Sequence, residues 1–382
     1  MTANPVIESH HRTFPNAPPP TMKAVVSNRI LASRLLNIGL NMPRGPGCEV
    51  RDIPKPTIEP HEILVRVRTV ALNPTDFKHA DIASPPNSIL GCDYAGEVVE
   101  VGAQAPGNWA MGDRVAGAIH GGLYSDRGAF AEYLKIDGDL AFKVPEGITN
   151  EDAATLGVSA GTAMLALNQR LGIPWPSTLK GSGRKDFVEG FPVLIYSGAT
   201  TAGLMAIQFA KAAGCTVVVT ASPRSFDLVK KYGADHVFDY RSKNVVELIT
   251  KQFPNITAAM DCFSEAGSTE ICAQVLKNKG GKVVTLLMDG KAKTPGVEVE
   301  LIMAYTLMGK PFQWLPPIGP KWEARPDDRK ALVELCKIVP ELTKVIKPPP
   351  TRHLEGGFDG IISGLGMLRR GEASGCKFVV TL

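Results

Sequence analysis

The chain has 382 residues, 44% of them hydrophobic, and its 42 Lys and Arg against 38 Asp and Glu give a formal net charge of +4. That length is long for one core and its apolar content is ample for two, while so small a charge, spread along the chain, gives no basis for nucleic-acid binding. The seven cysteines, at 48, 92, 215, 262, 272, 336 and 376, lack metal-ligand spacing and read as reduced thiols of a cytoplasmic protein, and no apolar run reaches the length of a membrane span.

The first twenty residues hold five prolines with His10, His11 and Arg12 and no signal-peptide core, which predicts a flexible leader over 1–21. Strands follow at 22–26 and 62–70, the second alternating outward polar with inward apolar residues. The pattern continues at 98–101 and 113–115 between Gly- and Pro-containing turns, so a β-rich module comes first. The polar, glycine-punctuated stretch 177–186 reads as an exposed loop.

The run Val193-Leu-Ile-Tyr-Ser-Gly-Ala-Thr-Thr-Ala-Gly203 breaks from a strand at 193–196 into a glycine turn and an amphipathic helix that ends at Gly214. Such a unit holds a pyrophosphate on the free N–H groups of the helix start, with Gly198 allowing the tight turn and Gly203 letting helix and strand pack closely. Thr200 takes the middle glycine position of the usual pattern, which puts its hydroxyl beside the phosphates as a donor. Strands at 215–221, 235–238, 258–261 and 283–287, helices at 226–232 and around 271–276, and the turn Gly280-Gly281 predict a parallel, doubly wound sheet.

The strand at 215–221 lacks the acid that would hold the ribose 2′-hydroxyl of NAD: residues 215–226 contain no Asp or Glu. Ser222, Pro223, Arg224 and Ser225 offer hydroxyls and a guanidinium there, which favours the 2′-phosphate of NADPH, the competing reading of Arg224 being a solvated surface charge. After Val283 the pattern loosens until a glycine-interrupted helix at 356–370 and a strand at 377–382, which predict a return of the chain to complete the first module. In between, the aromatics and Met of 304–309 and 312–317 either line a long apolar channel or pack a domain interface.

Taken in order, Met22-Lys-Ala-Val-Val26, Ala71-Leu-Asn-Pro-Thr-Asp76, Gly91-Cys-Asp-Tyr-Ala-Gly-Glu-Val-Val-Glu-Val-Gly102, Gly112-Asp-Arg-Val115, Gly128-Ala-Phe-Ala-Glu-Tyr133, Ala153-Ala-Thr-Leu-Gly-Val-Ser-Ala-Gly-Thr-Ala163 and the nucleotide unit strongly resemble the medium-chain dehydrogenase/reductase superfamily across nearly all of residues 22–382. The resemblance implies an α/β chain in which a GroES-like β-rich catalytic domain, residues 22–160 and 311–382, surrounds a Rossmann NADPH-binding domain, residues 161–310, with the active site in the cleft. Zinc-dependent members would carry a Cys in the segment reading Asn73-Pro-Thr-Asp76, a Gly-His-Glu at Gly91-Cys92-Asp93 and a four-cysteine lobe. None is present, so no metal is expected, and Cys92 reads as core.

Among the zinc-free members the chain looks closest to the trans-acting enoyl reductases that serve fungal polyketide synthases, on Asn73-Pro-Thr-Asp-Phe-Lys78, Ser222-Pro-Arg-Ser225 followed by Phe226-Asp227, Phe238-Asp-Tyr-Arg241 and Gly371-Glu-Ala-Ser-Gly-Cys-Lys377. The resemblance implies NADPH-dependent reduction of an α,β-unsaturated polyketide thioester presented by a carrier domain of a separate synthase, with no nucleic-acid or membrane partner. Carried over by motif, Thr75, Asp76, Phe77, Lys78 and Thr162 border the nicotinamide and the thioester. Gly198, Ala199, Thr200, Thr201, Ala202 and Gly203 hold the pyrophosphate, Ser222, Pro223, Arg224, Ser225 and Tyr240 surround the adenosine phosphate, and Leu286 and Leu287 lie beside the nicotinamide.

Hydride addition to the β-carbon gathers charge on the thioester oxygen before a proton reaches the α-carbon, so the chemistry asks for alignment and a donor at that oxygen. Lys78 and Thr162 are the catalytic candidates, with Tyr305 and Met308 joining Thr162 toward the substrate. The competing readings are a Lys78 that only pairs with a cofactor phosphate or ribose and a Thr162 that caps a helix. Tyr94, Tyr124 and water are the candidates for the α-proton donor. A quinone or small-enone reductase and a non-catalytic NADPH-binding protein share these motifs and remain rivals.

Overall fold

The computed structural model describes residues 20–40, 45–175 and 187–382. The leader expected at 1–21, save its last two residues, and the loop expected at 177–186 lie outside the described residues. Two strands open the chain as an antiparallel pair, β1 (Thr21–Ser27) and β2 (Cys48–Pro54), with helix α1 (Leu31–Leu40) between them. Next come β3 (Glu62–Ala71), α2 (Pro74–Lys78), β4 (Asp93–Val101), β5 (Arg114–Ala118), β6 (Tyr133–Asp137) and β7 (Ala141–Lys143), followed by α3 (Asn150–Ala154) and α4 (Leu156–Met164). β3 is the hub of this first sheet, pairing antiparallel with both β4 and β6.

The expected alternation along β3 holds in its middle, where Arg66 and Arg68 face outward between buried Val65, Val67 and Thr69, and fails at its start. Glu62, read as outward, is 1% exposed and faces Arg127 at 3.3 Å and Lys135 at 3.9 Å. A carboxylate is tolerated inside because cations distant in sequence meet it, and a local pattern does not carry that information.

The second half alternates strand and helix: β8 (Pro192–Tyr196), α5 (Thr201–Ala212), β9 (Thr216–Ala221), α6 (Phe226–Lys231), β10 (His236–Asp239), α7 (Val245–Gln252), β11 (Ala258–Asp261), α8 (Ser268–Leu276), β12 (Gly281–Thr285) and β13 (Val297–Leu301). These strands form a fully parallel sheet in the order β10-β9-β8-β11-β12-β13, the doubly wound arrangement whose strand order reverses between β8 and β11. Successive residues of each strand feed opposite cores, as a period of two dictates: Val193 and Ile195 pack with α5, and Leu194 and Tyr196 with α7 and α8.

The remainder comprises β14 (Phe312–Gln313), β15 (Lys321–Trp322), α9 (Pro326–Leu342), β16 (Thr351–His353), α10 (Gly357–Arg369) and β17 (Lys377–Thr381). β17 pairs antiparallel with β3, Val379 opposite Ala71, so the end of the chain rejoins the first sheet. The helices α1, α7 and α9 and the strand β13 carry no expectation from sequence. In α9 the pattern is interrupted by Pro340, which sits inside the helix.

Candidate active site

The carboxyl ends of the parallel strands form one wall, and its centre is the turn between β8 and α5. There Ser197, and not Gly198, takes the left-handed conformation, with φ of 57°. Gly198 is required for space instead, because a Cβ on it would lie 2.4 Å from Val219 Cγ1. Gly203 meets the sequence expectation: a Cβ there would come within 2.7–2.8 Å of the Gly198 backbone, so only glycine lets the helix sit this close to the turn.

The Thr200 hydroxyl, expected beside the phosphates, is engaged by the backbone of its own turn. Thr200 is the N-cap of α5, its hydroxyl accepting from the Gly203 N–H at 3.1 Å and donating to the Ser197 carbonyl at 3.1 Å. The Leu204 N–H is taken by the Thr200 carbonyl, which leaves the first-turn N–H groups of Thr201 and Ala202 for an anion. A cradle of this shape, closed by glycines and open at two backbone donors, fits the pyrophosphate of a dinucleotide.

Ser222, Pro223, Arg224 and Ser225 follow β9, with the two serine hydroxyls 3.2 Å apart. The Arg224 side chain is exposed and makes no ion pair or hydrogen bond among the described residues. Asp239 pairs in register with Ala221, so Tyr240 leaves the sheet beside this turn, 38% exposed. Arg241 is spent on Asp239 at 3.2 Å. Arg224 is thus the uncommitted cation of the turn that follows β9.

The facing wall is α2. Its Asn73 cap is held by the Asp76 carboxylate, which accepts from the Asn73 N–H at 2.7 Å, while the Asn73 side chain donates to Asp93 at 2.9 Å. Asp93, wholly buried, also accepts from the Val158 N–H at 2.6 Å and from Lys377 Nζ at 2.5 Å. One carboxylate thereby joins α2, β4, α4 and β17. Asp76 is 1% exposed, one of its oxygens has no hydrogen-bond partner among the described residues, and burial pushes its carboxyl up to about 7. The Asp76 side chain is thus turned into the protein at the first turn of α2, the segment expected to border the nicotinamide.

The Thr75 hydroxyl is 2.7 Å from the Tyr305 phenol, which in turn lies 3.5 Å from the Cys92 sulfur. Burial drives the Cys92 thiol well above its ordinary range. Cys92 is therefore a neutral core thiol, and Asp93 is committed to Lys377. Among the described residues the trio His61, Glu62 and Asp137 has metal-ligand proximity, but Glu62 faces Arg127 and Asp137 accepts from Arg329 at 3.0 Å.

Lys78 ends α2 and bridges the cleft to Glu265, Nζ to Oε1, at 3.2 Å. Phe77 packs under Arg369, whose guanidinium carbon is 5.5 Å from the ring centre. Thr162 lies inside α4, 8% exposed, so it is not a helix cap, and its hydroxyl has no partner among the described residues. The adjacent Gly161 abuts Leu307 of the single-turn helix Ala304–Met308, where a Cβ would be 3.1 Å from Leu307 Cδ1.

Tyr305 sits in a closed aromatic cluster, stacked on His120 at 3.9 Å and edged by His79 at 5.3 Å. Phe312, Trp314 and Trp322 complete it by packing together. Met308 instead lines a cavity with Ile119, His120, Tyr124 and Leu140. Of the two tyrosines considered as proton donors, Tyr94 is enclosed in the core and Tyr124 borders this cavity. Leu286 follows β12, its N–H donating to Ser264 Oγ at 2.8 Å, and Leu287 is next in the chain.

Sequence reasoning missed Glu265, Lys377 and the two buried histidines. A lysine opening an apolar final strand and an acid inside an apolar β4 were the available signals for the Asp93–Lys377 pair. A lone Glu in the loop after β11 gave none.

The alcohol dehydrogenase GroES-like domain model matches residues 59–146 and the zinc-binding dehydrogenase model residues 202–310. A trans-enoyl reductase of Alternaria alternata is 38% identical over 342 residues, covering 87% of this chain and 94% of that protein. Another, of Gibberella zeae, is 36% identical over 336 residues, covering 86% and 91% respectively. Among solved structures, the quinone oxidoreductase of Coxiella burnetii superposes with a TM-score of 0.68 at 22% identity, covering 95% of this chain and all of that one, which is a likeness of fold.

Proposed function

The chain belongs to the trans-enoyl reductases of the medium-chain dehydrogenase/reductase superfamily, and on that premise we propose that it uses NADPH to reduce the α,β-unsaturated thioester of a polyketide chain carried on a separate synthase. The observation that carries this reading is the meeting of the two halves at one point, where Lys78 of α2 reaches the loop leaving β11, beside the reversal of strand order.

A reduced nicotinamide bound in this cleft supplies a hydride. The protein's own tasks are to bind, align and polarise. The N–H groups of Thr201 and Ala202 take the pyrophosphate, and Arg224 with Ser222 takes the 2′-phosphate, a charge-assisted contact that NAD cannot make. As the β-carbon gains its hydrogen, electrons move to the thioester oxygen. The Lys78 ammonium and the Thr162 hydroxyl stabilise that developing oxyanion more than the neutral ground state. The α-carbon then takes a proton. Tyr124 and water are the candidate donors, whereas Tyr94 is enclosed in the core.

A zinc route does not suit these residues. Cys92 is neutral and bonded toward Tyr305, and Asp93 is committed to Lys377, so no ligand pair stands where zinc members carry theirs. Turnover is expected to survive strong chelation.

The test is NADPH oxidation against enoyl thioesters of increasing chain length, with quinones and small enones alongside. The expected result is thioester turnover that rises with acyl length, since chain recognition draws on apolar burial at about 25 cal/mol per Å². Rapid quinone reduction without thioester turnover would reassign the chain to the quinone reductases. NADPH binding with no acceptor at all would leave a binding protein.

A further inference from the structure

We propose that Glu265 is a positioning residue for Lys78, holding its ammonium across the cleft between the two domains at the place where it meets the thioester oxygen. The inference rests on the assignment of Lys78 given above.

A lysine is a point charge on a flexible four-carbon stem, without the fixed fork that orients an arginine. Lys78 is the last residue of α2, and its side chain is 40% exposed. Its own domain offers it no counter-ion among the described residues. Asp76, two positions earlier, is turned inward to the Asn73 cap, and Asp81 is occupied by Arg369 at 2.8 Å with Arg29 at 3.6 Å. What orients the ammonium therefore comes from the opposite domain.

Glu265 is suited to that task because its loop is fixed at both ends. The buried Asp261 carboxylate, at the end of β11, accepts from the Phe263 N–H at 3.1 Å, the Ser264 N–H at 2.9 Å, Ser268 Oγ at 2.6 Å and Thr269 Oγ1 at 2.7 Å. Ser264 Oγ donates to the Asp261 carbonyl at 2.8 Å and accepts from the Leu286 N–H at 2.8 Å, which fastens the loop to the end of β12 as well. On either side of Glu265, Ser264 and Ala266 hold left-handed φ values of 58° and 48°. Non-glycine residues persist in that region only where surrounding contacts impose it. The carboxylate presented by this rigid loop makes its one side-chain bond, among the described residues, to Lys78.

An ion pair this exposed adds little to stability. Its consequence is geometric, which separates it from a structural role. Glu265→Gln, Lys78→Ala and the double variant are compared for kcat and KM with an enoyl thioester, for NADPH Kd by fluorescence, and for melting temperature. Glu265→Gln is expected to lower kcat about tenfold with KM and NADPH Kd within about twofold, and the double variant to be no slower than Lys78→Ala. In the cofactor-free protein, the Lys78 side-chain NMR signal, identified by its loss in Lys78→Ala, is expected to shift in Glu265→Gln.

An unshifted signal, a wild-type kcat in Glu265→Gln, a loss confined to KM or NADPH Kd, or losses that multiply in the double variant would each overturn the proposal. The two levels separate cleanly. A slow Lys78→Ala with a wild-type Glu265→Gln removes Glu265 alone, whereas a wild-type rate in Lys78→Ala removes the Lys78 assignment and the positioning role with it.

Discussion

Single side chains in this protein are informative according to what they have left to bond. Arg224, in the turn after β9, is exposed and has no ion pair among the described residues, while Arg241 is spent on Asp239. Arg224→Ala is accordingly expected to weaken NADPH by about 1–3 kcal/mol while sparing NADH, as isothermal titration with both cofactors would read. Equal losses for the two cofactors would place Arg224 away from the 2′-phosphate. Asp76 is the opposite case, an acid 1% exposed whose second oxygen has no hydrogen bond among the described residues, its pKa raised by burial from 3.8 to about 7. Between those values the folded state binds the extra proton and the unfolded state does not, so this group lowers stability as pH rises from about 4 to about 7. Asp76→Asn keeps an acceptor for the Asn73 N–H and removes the titration. The variant is expected to lose that part of the pH slope and to gain on the wild type, by an amount on the order of a few kcal/mol, above pH 7. Parallel melting curves for the two proteins across pH 4–8 would contradict this.

At the scale of the element, the helix α5 and its turn show why some of the site was legible and some was not. Its apolar period and Gly203 are local signals, and both point to a strand-turn-helix unit with room for a pyrophosphate. The left-handed Ser197 is not local, because it is held by the neighbouring strand: the Ser197 N–H donates to Thr220 Oγ1 at 3.0 Å and the Gly198 N–H to the Thr220 carbonyl at 2.9 Å. The same distinction explains Thr200, whose role as a cap depends on where the helix begins. Thr200→Val is expected to destabilise the protein by about 0.5–2 kcal/mol through the lost cap and to weaken NADPH by disordering the first turn. Unchanged denaturant midpoint and cofactor affinity would mean that the hydroxyl is not capping. Glu62 on β3 is misplaced and Glu265 after β11 is missed for the same reason, since their partners lie far along the chain.

Across the whole molecule, one buried charge pair joins segments that are distant in the chain. The Rossmann sheet is built from a continuous stretch of chain, whereas the first sheet is completed by β17, which follows that stretch and pairs with β3. Lys377, at the entry of β17, brings an ammonium that is 2% exposed to Asp93, which already holds Asn73 of α2 and the Val158 N–H of α4. The pair thus sets the relation of α2, the helix α4 that leads into the second half, and the closing strand. Removing one member leaves the other charge buried and unmatched, which typically costs about 3–5 kcal/mol. Lys377→Met is therefore expected to lower the melting temperature sharply, and adding Asp93→Asn is expected to recover part of that loss, because the uncompensated charge is gone. Additive losses in the double variant would show that each side chain acts through packing alone, and the closing strand would then be held by its backbone ladder and apolar residues.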